Sequence, residues 1–107
     1  MASKAKKSKP FDAGKYLDSD EAIAAYITEA LSTHDADMVV RAIGIAAKAR
    51  GMTDIARQTG LSRESLYKAL GGDGHPQFET INLVLKALGL RLRVETAGDD
   101  SEGKRAA

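Results

Sequence analysis

The sequence predicts an all-α domain of five helices, closed by one short C-terminal β-strand. Three observations carry that reading. Apolar residues recur at helical spacing in successive windows. Asp, Ser and Gly stand where those windows begin and end. One late segment, LRLRVET at 90–96, switches to strict alternation, the period of a half-buried strand. A chain of 107 residues has room for one such domain.

The elements follow in order. Residues 1–10, MASKAKKSKP, carry four lysines and no acid, so they read as a disordered basic leader. That leader is either a nucleic-acid-binding arm or a solvated extension. Phe11, Tyr16 and Leu17 can anchor a short turn onto the domain, which spans residues 11–96. Asp18, with Glu21 three residues on, resembles a capping box and opens a helix to about Thr33. Its buried face would hold Ile23, Ile27, Ala30 and Leu31. Asp35 caps a second helix, about 36–50, with the stripe Val39, Ala42, Ile43, Ala46 and Ala49. Arg50 and Gly51 end it.

Two short helices come next, in TDIARQTGLSRESLYKAL at 53–70. Ala56 is small where the two must cross. Gly60 suits the left-handed turn between them, and Ser62 is a good N-cap. Ile55, Leu61, Leu66 and Leu70 point inward, with Ala69 in a tight spot. Arg63, Glu64, Tyr67 and Lys68 are left on the outer face. This is the layout of a helix-turn-helix, whose second helix enters the DNA major groove. A Gly-rich loop at 71–76 leads to a last helix with the stripe Phe78, Ile81, Leu85 and Leu88, Val84 beside it, stopped by Gly89. In the strand, Leu90, Leu92 and Val94 alternate with Arg91, Arg93 and Glu95. No other segment reads as a strand, so its partner is the same strand of a second protomer, or the sheet edge of another protein. A packed extended tail is the third option. Residues 97–107 read as a flexible tail.

Composition bounds the function. There are 16 basic and 15 acidic residues, for a formal net charge of +1, so the total points to no partner. The distribution is uneven. Residues 11–37 are strongly acidic, and 38–95 are basic. The acidic stretch is either a docking face or a solvated helix. With no cysteine, disulfides, thiolate nucleophiles and Cys-ligated metals are excluded. No apolar run reaches the ~20 residues of a membrane span. The basic start lacks an apolar core like that of a secretory signal. The cytoplasm is the default location. Neither His34 nor His75 falls in a metal-ligand spacing. The glycines at 71, 72 and 74 precede no Lys-Ser/Thr pair, so a phosphate-binding loop is not supported. The chain reads as a non-enzyme with no cofactor and no metal.

From KPFDAGKYLDSDEAIAAYITEAL through ARGMTDIARQTGLSRESLYKAL to LVLKALGLRL, the chain resembles the addiction-module antidote proteins. These are prophage-type helix-turn-helix antitoxins of type II toxin–antitoxin systems. The resemblance covers roughly residues 9–95. The helix-turn-helix alone would indicate only a λ-repressor-like DNA-binding domain. The resemblance implies repression of the protein's own operon, a RelE/ParE-like toxin partner and a homodimer. His75 and Gln77 depart from the pattern, at the start of the last helix.

Position in the motif assigns the roles. Arg63 matches the N7 and O6 acceptors of guanine, and Glu64 can accept from a cytosine amino group. Lys68 and Tyr67 complete the base-reading set: Lys68, one turn on along the same face, can reach a base or a phosphate, and Tyr67 can contact a thymine methyl or donate its hydroxyl to a phosphate. Thr53, Arg57, Ser62 and Ser65 are the phosphate candidates. Leu90, Leu92 and Val94 would form the dimer strand. Asp18, Asp20, Glu21 and Glu29 would face the toxin. A stand-alone phage-type repressor shares every DNA argument and differs only in lacking a toxin. A pure protein-interaction module is a third class, separable because it shows no salt-sensitive DNA binding.

Overall fold

The computed structural model describes residues 16–71 and 74–98. The basic leader, Phe11, Gly72, Asp73 and the tail beyond Gly98 lie outside the described residues. Among those described there are five helices: α1 (Asp20–Leu31), α2 (Ala36–Arg50), α3 (Met52–Thr59), α4 (Arg63–Ala69) and α5 (Phe78–Ala87). Helix α2 packs on α1, α3 and α5, and α3 packs on α4 and α5.

Ser19, not Asp18, opens α1. Its Oγ accepts from the Ala22 N–H at 3.0 Å, which places Asp20 and Glu21 in the first turn. Those carboxylates sit where the helix dipole favours negative charge. Ile23, Ile27 and Ala30 are buried as their spacing requires, whereas Leu31 is exposed. Leu31 is the last residue of α1, where the chain turns away through Ser32 to a left-handed His34. Tyr16 is also exposed, and Leu17 alone of that pair enters the core.

Asp35 caps α2, with Oδ1 accepting from the N–H of Asp37 at 3.0 Å. Buried positions run Ala42, Ile43, Ala46 and Ala47. Ala49, expected inside, is exposed. The buried stripe swings to Ala47, one position aside, because a single residue, Gly51, separates α2 from α3 and brings α3 against that side.

Val84 is fully buried in α5 together with Leu85 and Leu88, and Ile81 is partly buried. Phe78, expected in the same stripe, is 68 % exposed at the first position of the helix. Gln77 precedes it in an extended conformation and makes no side-chain cap bond. The far end is better built. The Leu90 N–H donates to the Leu85 carbonyl at 2.9 Å, and the Gly89 N–H to that of Lys86 at 3.0 Å. This is a Schellman closure, and Gly89 supplies its left-handed residue at φ 84°. Leu90 is thereby folded back onto the core.

Beyond Leu90 the expected strand does not form. Residues 91–97 carry no regular secondary structure, and Leu92 and Val94 are exposed. A strand is stable only when its backbone groups pair with a neighbour, and no strand lies among the described residues to pair with it.

Gly44, inside α2, is required by close approach. A Cβ there would lie 2.7 Å from the Leu70 carbonyl oxygen and 3.3 Å from its Cβ. Leu70 is the C-cap of α4. Gly44→Ala should therefore lower stability. The gain in helix propensity is about 1 kcal/mol, against an overpacking cost of roughly 1–3 kcal/mol where the obstacle is backbone. The urea midpoint of the variant measures the balance, and a midpoint that rises would contradict the close seat of Leu70.

Candidate nucleic-acid interface

Two helices meet here at a three-residue corner. The Gly60 N–H donates to the Ala56 carbonyl at 2.9 Å, and Gly60 takes the left-handed conformation at φ 80°. Thr59 stitches the corner further. Its Oγ1 donates to the Ile55 carbonyl at 2.8 Å and accepts from the Leu61 N–H at 3.2 Å. Leu61 packs against the core. Ser62 then caps α4, its Oγ accepting from the Ser65 N–H at 3.0 Å.

Helix α4 presents two faces. Leu66 and the capping Leu70 are buried, with Leu66 fully so. Arg63, Glu64, Tyr67 and Lys68 are exposed, all four as their spacing predicts. Ser65 is exposed as well. The two serines differ in what they can offer. Ser62 Oγ donates to Ser65 Oγ at 2.9 Å, so its proton is already used. The Ser65 hydroxyl proton is left to donate outward.

Helix α3 contributes Thr53 and Arg57, both exposed. Gly51 precedes α3 and offers no side chain to its first N–H groups, so the Thr53 turn keeps unsatisfied donors. Arg57 is tied to Asp54, which also accepts from Gln58 Nε2 at 2.9 Å. The guanidinium stays on the surface with part of its charge balanced.

Packing adds a residue that spacing did not single out. Lys48 of α2 places its Nζ 5.9 Å from the centroid of the Tyr67 ring. The Arg63 guanidinium carbon lies 5.8 Å from the same centroid. Lys48 is 19 positions before Tyr67 in the chain, so no local pattern links them. Beyond α4, an open cleft of about 550 Å³ is lined by Ser65, Lys68, Ala69, Gly74, His75 and Pro76. It continues the Lys68 side of the helix.

The acidic candidates stand on another element. Asp18, Glu21 and Glu29 are exposed on or beside α1. Asp20 is engaged internally, with Oδ1 2.6 Å from Arg50. Arg50 also lies 3.5 Å from the Leu88 carbonyl. The ends of α1, α2 and α5 are thus drawn to one point. The dimer-strand candidates divide: Leu90 is partly buried, while Leu92 and Val94 are exposed. No cluster of three or more His, Asp or Glu among the described residues could hold a metal. No helix among them is long and apolar enough to cross a membrane.

Residues 7–96 match the family model described as "probable addiction module antidote protein". A protein of Haemophilus influenzae, described as uncharacterized, is 45 % identical over 87 residues, which is 81 % of this chain and 90 % of that protein. No solved structure matches the chain.

Helix α4 has only seven residues, so its cap carries weight. Ser62→Ala should cost about 1 kcal/mol of stability, read as a lower urea midpoint at unchanged slope. An unchanged midpoint would remove the cap from the account of α4.

Proposed function

The chain belongs to the family of probable addiction module antidote proteins, and on that premise we propose that it is a DNA-binding antitoxin. It neutralises a cognate toxin of RelE/ParE type and represses its own operon in the cytoplasm. It acts by binding alone, with no catalysis and no cofactor. One observation supports the DNA part most strongly. A capped helix, α4, is anchored by Leu66 and Leu70 and turns Arg63, Glu64, Tyr67 and Lys68 to solvent.

In this reading α3 and α4 are a helix-turn-helix of λ-repressor-like type, and α4 lies in the major groove. Arg63 pairs with a guanine edge, flanked by Glu64 and Lys68. Thr53, Arg57 and Ser65 meet the phosphates. Ser62 mainly holds the cap. The basic face is a surface for a polyanion, and the binding is correspondingly salt-sensitive.

The toxin docks on α1. Asp18, Glu21 and Glu29 are open to a basic partner, while Asp20 is held by Arg50. The extended segment with Leu92 and Val94 finds its missing neighbour in a second protomer, as an antiparallel pair across a two-fold axis. Two α4 helices would then read half-sites about 34 Å apart.

A gel shift of the full chain with the DNA upstream of its own reading frame tests the proposal. Co-expression with the product of the adjacent frame tests the antidote role. Growth arrest by that product, relieved by this chain, supports it. DNA binding with no toxic neighbour would make the chain a stand-alone repressor.

Arg63→Ala should weaken specific binding by roughly 1–3 kcal/mol and relax preference at one base pair. Titration against operator variants checks this, and equal losses on every sequence would reject base reading by Arg63. Leu92→Asp should yield a monomer with weak DNA binding. Sedimentation showing an unchanged dimer would take the segment out of the interface.

A further inference from the structure

The cations of this chain are treated differently by their surroundings. Arg50 and Arg57 each hold a carboxylate, Asp20 and Asp54 respectively. Lys48 and Arg63 form no ion pair among the described residues, and instead both lie within 6 Å of one ring, that of Tyr67. Tyr67 is 43 % exposed, so this group sits at the surface. An aromatic face attracts a cation. Neither charge is neutralised by a carboxylate among the described residues, so both remain available to an anion at this surface. The spacing explains the local half: Arg63 and Tyr67 are four residues apart on α4, one turn of one face. Lys48 arrives from α2.

We infer that Tyr67 is a positioning residue that orients the Arg63 guanidinium and recruits Lys48 of α2 as a contact to a DNA phosphate. The inference rests on the DNA-binding reading above and extends the interface beyond the α3–α4 pair. An arginine held against a ring loses less freedom when it meets a base. Lys48, a point charge on a flexible stem, adds affinity without sequence preference. Tyr67 then affects sequence choice through Arg63 rather than by touching a base.

Two measurements test it. In the free full-length protein, the Lys48 ε-methylene and Arg63 δ-methylene proton signals should be shifted upfield by the ring. Tyr67→Phe should retain those shifts, and Tyr67→Leu should remove them. Shifts that stay unchanged in Tyr67→Leu overturn the platform whether or not the protein binds DNA. The second measurement titrates a duplex selected from a random pool, and a scrambled duplex, across salt concentrations. Lys48→Ala should weaken both duplexes and reduce the salt slope by about one. Tyr67→Leu should lower the ratio of selected to scrambled affinity by about tenfold, and Tyr67→Phe should keep most of it. Equal loss in Tyr67→Phe and Tyr67→Leu would make the hydroxyl the contact and overturn the inference. An unchanged slope in Lys48→Ala would overturn the phosphate role. Tyr67→Met replaces Tyr67→Leu if thermal melts show that the leucine variant is unfolded. If the unsubstituted chain selects no sequence, the DNA reading fails, and the ring-shifted signals still decide the platform.

Discussion

A seven-residue helix does not persist in water by itself, and the proposed interface depends on how α4 is held. Three attachments hold it. Ser62 satisfies an early N–H group, Leu66 is wholly buried, and Leu70 seats its backbone against Gly44 of α2. The last sets the depth of the helix. A side chain at position 44 would lift the end of α4 away from the core, and the outer residues would move with it. The place of Arg63 in space therefore depends partly on a glycine in another helix.

Charge is arranged around that frame. Among the described residues two ion pairs form: Asp20 with Arg50, which joins the ends of two helices, and Asp54 with Arg57 within α3. These are surface pairs, each worth little in stability. Their larger consequence is for binding: Asp20 and Arg50 are taken from the sets available to partners, whereas Arg57 stays on the surface with part of its charge balanced. What remains open is an acidic α1 and a cationic α4, on separate elements. An antidote must hold a protein and, in the proposed reading, a nucleic acid. Separate elements of opposite charge let both happen without competition for the same side chains.

The elements were legible in the sequence because the signals that end helices are local. Asp35, Gly60, Ser62 and Gly89 each act within a few residues of themselves, and each stands where its chemistry predicts. The misplacements fall at helix ends. Leu31 and Phe78 continue an apolar period, yet they lie at the last residue of α1 and the first of α5, where no neighbouring helix covers them. Ala49 lost its place to Ala47 because a one-residue link brought α3 to that side of α2. The alternation at 90–96 was a real pattern, but it encodes a half-buried strand only if something lies alongside, and the described residues include no strand to pair with it.

From the order of residues alone came the five helices, the corner at Gly60 and the outward set Arg63, Glu64, Tyr67 and Lys68. All of these follow from hydrogen bonds and side-chain periods spanning no more than a turn or two. Folding alone decided that Gly44 makes room for Leu70, that Asp20 is spoken for by Arg50, and that Lys48 joins Arg63 at the Tyr67 ring. Most of these partners are 19 or more positions apart. No periodicity reaches that far, because such contacts exist only after separate helices have packed together.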